Sequence, residues 1–288
     1  MTKKIGIALV GLGPGSEPHI ASLHALQDRV DWRWCVSRSG APQRQGLLPG
    51  STRVTTDLHE VLADAAVDAV VLATPANTHL AIAKQVLAAG KHTLVEKPLD
   101  VSLERAEELV RIAEASKLCF GVVLQHRFRP GAVRLRELMA GGTLGELQAG
   151  MLQVPWWRSQ AGYYAQAGRG TRERDGGGVL LTQAIHSLDL FRSFVGVRKV
   201  VAAQVITTAL HTMETEDFVS ALLTLGNGAP GNLMATTAMY PGRTESIELV
   251  CTQANVSLVG GGWQVHYHDG RTEVVDGDAK NGSGDAIM

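Results

Sequence analysis

The sequence predicts an α/β protein of two domains: a doubly wound parallel sheet over residues 1–123, then an α+β domain with an open, mainly antiparallel sheet over residues 124–288. Three observations carry this prediction. Short apolar strands alternate with helical stretches up to about residue 123, the order that right-handed crossovers turn into a parallel sheet covered on both faces. A glycine-rich run, Gly11-Leu12-Gly13-Pro14-Gly15, sits between the first strand and the first helix. Beyond Leu124, consecutive strands are separated by turn signals instead of helices, which indicates hairpins.

In the first domain, strands are expected at 5–10, 32–36, 69–73, 93–96 and 119–123, and helices at 19–26, 77–89 and 102–115. In the second, helices are expected at 134–139 and 179–194, and strands at 146–155, 200–208, 217–225, 232–239, 246–251, 263–268 and 272–275, the last pair joined by Asp269-Gly270. The chain carries no charge between Asp217 and Arg243, long enough to raise a membrane span. Gly226-Asn227-Gly228, Pro230, Gly231 and Asn232 interrupt its middle, so it reads as a β-hairpin. With no repeat and no low-complexity linker, the two domains are expected to be closely coupled.

At 288 residues the chain is long enough for two cores. Hydrophobic residues at 45% against 19% charged argue against disorder, and 27 Lys plus Arg against 28 Asp plus Glu leave no basic excess for a nucleic acid. The expected partner is a small molecule, with no membrane. Cys35, Cys119 and Cys251 form no CxxC pair, so free thiols and a reducing cytoplasm are expected. Gly11 ends the first apolar run too early for a signal peptide. His266 and His268 alternate along a strand, but no third ligand is recognisable, and no metal is expected.

Glycine permits a tight turn and lets backbone N–H groups approach a pyrophosphate at a helix N-terminus, which makes Gly11, Leu12, Gly13, Pro14 and Gly15 candidates for dinucleotide binding. Ser16 stands where the third glycine of the Rossmann fingerprint falls. At the end of the second strand a carboxylate would hold a ribose 2′-hydroxyl; the sequence has Ser37-Arg38-Ser39 instead. Ser37 and Arg38 suit a 2′-phosphate, which favours NADP(H), with NAD(H) as the alternative if Arg38 is a solvated loop residue.

Downstream of this turn lie Ala73-Thr74-Pro75-Ala76-Asn77-Thr78-His79, Val95-Glu96-Lys97-Pro98-Leu99, Asp175-Gly176-Gly177-Gly178 and His186-Ser187-Leu188-Asp189. In this combination the chain resembles, over nearly its whole length, the glucose-fructose oxidoreductase, inositol dehydrogenase and rhizopine catabolism protein family of NAD(P)-dependent oxidoreductases. The resemblance implies a Rossmann domain followed by a domain whose open sheet offers the substrate face and often an oligomer interface, hence a homo-oligomer, dimer or tetramer. It implies that Thr74, Pro75, Asn77, His79, Glu96, Lys97 and Arg127 contact the cofactor. It places Lys97 near the nicotinamide, often with a cis bond to the following proline. A partly desolvated lysine there can exchange a proton with an alcohol, and Pro98 restricts Lys97 to extended backbone. His186 matches the family's catalytic histidine, with Thr182 where an aspartate usually sits four residues earlier; both are expected on one face of a continuous helix. Asp189 either orients the imidazole or braces the helix.

Trp156-Trp157-Arg158, Tyr163-Tyr164 and Arg169-Gly170-Thr171 resemble the substrate loop of dehydrogenases acting on UDP-N-acetylglucosamine-derived uronates. Trp157, Arg158, Tyr163, Arg169, Thr182, His186 and Lys97 are thereby expected at the substrate. Aromatic rings pack on sugars and arginines pair with carboxylate or phosphate, so an anionic substrate is expected. The expected activity is hydride transfer between a CH–OH or C=O group of a sugar, sugar acid or polyol and a nicotinamide. The alternatives are a dihydrodiol-type ring substrate, or a non-catalytic NAD(P)-sensing role on the same scaffold. Similar proteins continue through a helical segment where this sequence ends at Gly282-Ser283-Gly284-Asp285-Ala286-Ile287-Met288, so a second domain shortened at its C-terminus is expected.

Overall fold

Chain order and apolar pattern divide the molecule into two compact units, residues 1–123 and 124–288. The computed structural model describes residues 3–38 and 46–275; Ser39 and the C-terminal stretch from Gly282 lie outside them.

The first unit is built on β1 (Ile5–Val10), whose last five residues are all buried, as a central strand covered on both faces demands. It continues through α1 (Glu17–Ala25), β2 (Val30–Val36), β3 (Arg53–Thr55), α2 (Leu58–Ala63), β4 (Ala69–Leu72), α3 (His79–Ala88), β5 (His92–Val95), α4 (Leu103–Ser116) and β6 (Phe120–Val122). The six strands are parallel in the order β3-β2-β1-β4-β5-β6. The order reverses beside β1, and ligands of such sheets bind beyond the strand C-termini at that point. Two apolar cores form, one containing Leu72, Val86 and Leu109, the other Leu9, Ile20 and Trp32. Sequence reading missed β3 and α2. The strand has only three residues, and the helix is set by a cap, the Asp57 carboxylate accepting from the His59 N–H at 2.8 Å, more than by an apolar stripe.

In the second unit α5 (Pro130–Ala140), β7 (Leu147–Pro155), α6 (Arg172–Asp175), α7 (Val179–Thr182) and α8 (Ile185–Val195) precede seven strands. These are β8 (Val197–Ile206), β9 (Phe218–Leu225), β10 (Pro230–Thr236), β11 (Ser246–Cys251), β12 (Ala254–Val259), β13 (Gly262–Tyr267) and β14 (Thr272–Val275). The eight-stranded sheet runs β14-β13-β12-β11-β7-β10-β9-β8, and among the described strands its β7–β10 pairing is parallel and the others antiparallel. Along β9, β11, β12 and β13 buried residues alternate with accessible ones. The inward set, including Leu152, Leu223 and Leu249, forms one core with Leu135 of α5 and Phe191 of α8. The uncharged 218–242 stretch is indeed a hairpin, β9 paired antiparallel with β10, and no described helix is long and apolar enough to cross a membrane. β12 was missed because its alternating Asn255 and Ser257 dilute the apolar pattern.

One expectation is overturned. The continuous helix read over 179–194 is two helices, because the Ala184 N–H reaches back five residues to the Val179 carbonyl at 2.8 Å and opens one wide turn. Thr182 therefore ends α7 and His186 stands in the first turn of α8, so the two are not successive turns of one regular helix.

Candidate active site

The glycine run forms a tight turn over β1. Gly11 has φ +101°, and a Cβ there would stand 2.6 Å from the Ala73 carbonyl oxygen, so only glycine fits. At Gly13 and Gly15 a Cβ would meet nothing within 4 Å, leaving open space over the turn Pro14–Ser16 that leads into α1. Ser16, buried, donates its hydroxyl to the Gly13 carbonyl at 2.7 Å and so closes the turn by a side-chain bond. A cleft of about 710 Å³ opens here, lined among others by Gly11, Leu12, Gly13, Ser37, Arg38, Thr74 and Pro75. Seven of the expected cofactor residues thus meet in one groove. No carboxylate is among its described lining residues. The open glycine cradle and the uncharged or basic lining fit a dinucleotide.

Four other expected cofactor residues have different surroundings. Asn77 is exposed in the Ala76–Thr78 turn, and its backbone carbonyl accepts from Arg105 Nη2 at 3.0 Å. The His79 ring is fully buried, with Nε2 2.9 Å from the Thr74 carbonyl and Nδ1 3.1 and 3.2 Å from those of Pro98 and Leu99. Glu96, beyond β5, points its carboxylate at His19 Nε2, 2.7 Å away, and accepts the Lys97 backbone N–H at 3.0 Å. Lys97 is half-buried at the same carboxyl edge of the sheet, and its bond to Pro98 is cis.

In the second unit the Gln125–Phe128 turn docks on α8. Arg127 makes a two-pronged ion pair with Asp189, Nε to Oδ2 at 2.6 Å and Nη2 to Oδ1 at 2.5 Å, which raises the guanidinium pKa further. The His126 ring packs against His186 with centroids 4.9 Å apart. Asp189 thus holds Arg127 on α8. Thr182 donates its hydroxyl to the Gly178 carbonyl at 2.7 Å.

Two of the basic residues expected at the substrate, Arg158 and Arg169, assemble around Tyr163. The Arg169 guanidinium lies 4.8 Å and that of Arg158 5.9 Å from its ring centroid. Arg158 also donates to Gln183 Oε1 at 3.1 Å, and Gln183 donates to the Tyr163 hydroxyl. Arg169 Nε is buried with no hydrogen-bond partner among the described residues. Trp157 packs between His211 and Tyr240, at 5.8 and 5.5 Å. Burial raises the Tyr163 hydroxyl and pushes that of Tyr164 up to about 12, so both stay neutral donors near neutral pH.

Sequence reasoning missed His19, His126, Gln183, His211 and Asp217. His211 is wholly buried, with Nδ1 2.7 Å from Asp217 Oδ2 and Nε2 2.7 Å from the Arg158 carbonyl. A histidine six residues before an aspartate that opens an uncharged strand was the available signal.

Residues 5–124 match the oxidoreductase family described as having an NAD-binding Rossmann fold, and residues 132–257 match the GFO/IDH/MocA C-terminal domain. The WlbA dehydrogenase from Bordetella pertussis, solved in complex with NADH and UDP-GlcNAcA, is 30% identical; the match covers 90% of this chain and 79% of that one, with a TM-score of 0.81. The chain belongs to the GFO/IDH/MocA oxidoreductase family. Among curated relatives of this oxidoreductase, an uncharacterized oxidoreductase of Synechocystis is 27% identical over 90% of this chain and 73% of its own length. The scyllo-inositol 2-dehydrogenase (NADP(+)) IolW of Bacillus subtilis is 26% identical over 78% of this chain; the chain spans 60% of that relative's length.

Proposed function

We propose that this oxidoreductase oxidises a CH–OH group of an anionic sugar derivative, or reduces the matching carbonyl, with NADP(H) preferred over NAD(H). The observation that carries the reading is the presence, on one edge of one sheet, of a glycine turn open to a pyrophosphate and a half-buried lysine anchored through Glu96. A nicotinamide, when bound, supplies the hydride acceptor or donor. The chain supplies the rest. Gly11, Leu12, Gly13, Pro14 and Gly15 receive the phosphates, Thr74 and Pro75 wall the groove, and Ser37 and Arg38 take a 2′-phosphate. Lys97 exchanges the proton of the reacting oxygen, and His186 is the second candidate for that task. Trp157 and Tyr163 offer ring faces, Thr182 a hydroxyl, and Arg158 with Arg169, whose Nε has no partner among the described residues, offers charge-assisted bonds to a carboxylate or phosphate.

The reading includes a homo-oligomer. β8 is an edge strand, and Val200, Val201, Val205 and Ile206 on it, with Leu222 on β9, are each more than half exposed. Such an apolar area on a sheet edge calls for a partner surface, here a second copy.

The test is a fluorescence titration with NADPH and NADH, followed by turnover of UDP-GlcNAcA, the compound held by the WlbA dehydrogenase, with NADP and NAD. Cofactor binding tighter for NADPH, with reduction of NADP by this sugar acid, is the expected result. A folded chain that binds cofactor but turns over neither this compound nor neutral sugars and polyols would favour the sensing role, and one that binds neither cofactor would overturn the reading.

A further inference from the structure

We propose that His19 is a positioning residue for Lys97, acting through Glu96, so that the helix that follows the glycine turn and the lysine loop form one mechanical piece. The inference rests on the reading of Lys97 given above.

The geometry comes from three side chains of one unit. His19 lies in the first turn of α1, immediately after the Pro14–Ser16 turn, with its side chain 11% exposed. Its Nε2 is 2.7 Å from Glu96 Oε1, across 77 residues of sequence. The other oxygen of that carboxylate accepts the Lys97 backbone N–H at 3.0 Å. One carboxylate thus bridges α1 and the backbone of Lys97. Beyond Lys97, the buried His79 ring faces the Pro98 and Leu99 carbonyls at 3.1 and 3.2 Å. The lysine backbone is therefore bracketed on both sides by histidines anchored at the starts of α1 and α3.

Removing the His19 imidazole leaves a mostly buried carboxylate oxygen without its hydrogen bond. A buried carboxylate that loses a donor re-orients, and because its other oxygen holds the Lys97 backbone N–H, that movement is passed to the lysine. A phosphate group that orders the glycine turn also orders α1, whose third residue is His19. Through Glu96 that order reaches the proton-exchanging group, which gives the cofactor turn a hold on the lysine that neither element has alone.

The experiment uses His19→Leu, His19→Gln, His19→Asn and Lys97→Ala in the full chain. Glutamine carries an N–H donor close to the position of the imidazole Nε2; asparagine is too short to reach Glu96. Folding is followed by circular dichroism, NADH binding by fluorescence, and turnover by UDP-GlcNAcA with NADP and NAD. The Lys97 environment is followed by the NMR signal of its ¹³C-methylated amine, assigned through its loss in Lys97→Ala. The expected result is a kcat about 10- to 100-fold lower in His19→Leu, with KM and the NADH Kd within about threefold, a displaced Lys97 signal, and recovery of both in His19→Gln. If His19→Leu does not fold, His19→Asn takes its place. If the parent chain does not turn over UDP-GlcNAcA, displacement of the Lys97 signal in the leucine and asparagine variants and its return in the glutamine variant support the proposal, and an unmoved signal overturns it. Unchanged kcat and signal in His19→Leu while Lys97→Ala is inactive, or no recovery in His19→Gln, would overturn the role of His19 and leave Lys97 standing. Full turnover in Lys97→Ala would remove the Lys97 reading and this inference with it.

Discussion

At the scale of single residues, the proposed chemistry concentrates on Lys97 and Arg38. Lys97→Ala should lower kcat about 100- to 1000-fold in steady-state assays while cofactor titrations stay close to the parent, since a proton-exchanging group typically contributes that much. Arg38→Ala should weaken NADPH about tenfold and leave NADH nearly unchanged, the size of a lost charge-assisted bond; equal weakening of both would remove the 2′-phosphate role. Both residues were legible in the sequence, because a Lys-Pro step after a strand and a missing carboxylate at a strand end are local signals. The burial of His79 was not, because its ring is sequestered by carbonyls of Pro98 and Leu99, some 20 residues away. Asp64 gives a pH prediction. The Trp34 indole N–H at 2.8 Å, the Ala66 N–H and the Arg33 guanidinium hold its carboxyl below the ordinary range. Its contribution is present above the unfolded pKa of about 4 and is lost as pH falls through the lower folded value. Asp64→Ala should therefore destabilise the first unit by about 1 to 3 kcal/mol at neutral pH in denaturant titrations, and by less in strong acid.

At the scale of elements, the glycine turn and the broken helix are the decisive pieces. A methyl group at Gly11 would oppose the Ala73 carbonyl and demand an unfavourable φ, so Gly11→Ala should abolish detectable cofactor binding and lower the melting temperature. Gly178 is packed against Glu216, whose carboxylate accepts its N–H at 2.9 Å and whose backbone oxygen would lie 1.8 Å from an added Cβ. Gly178→Ala should cost about 1 to 3 kcal/mol by chemical denaturation, with the loss confined to the second unit. The periodicity of residues 179–194 gave no sign of the wide turn at Ala184, because apolar spacing is nearly the same on either side of one inserted residue. The turn places Gln183 on Arg158 and Tyr163, contacts that a regular helix from Val179 would have had to reach differently.

At the scale of the molecule, the second sheet buries one face under α5 and α8 and leaves apolar residues on its edge. Light scattering coupled to size exclusion should show a homo-oligomer, and Val205→Lys with Leu222→Lys should shift it toward monomer without loss of secondary structure; a monomeric parent chain would overturn that expectation. The alternation of strands and helices before Leu124, and of strands and turns after it, made the two architectures readable, since both follow from local hydrophobic period and turn chemistry. The parallel pairing of β7 with β10 was not readable, because strands some 80 residues apart choose one another through the whole sheet.

By itself the sequence determined the fold class, the glycine turn, the Glu96-Lys97-Pro98 step and the family to which the chain belongs, because each depends on residue types at short, fixed spacing. Only the tertiary structure decided that Glu96 serves His19 and Lys97, that Arg127 serves Asp189, and that Arg158, Tyr163, Arg169 and Gln183 form one cluster. Those partnerships join residues far apart in the chain, and a polar side chain takes its partner from whatever packing brings within about 3 Å, which no local pattern records.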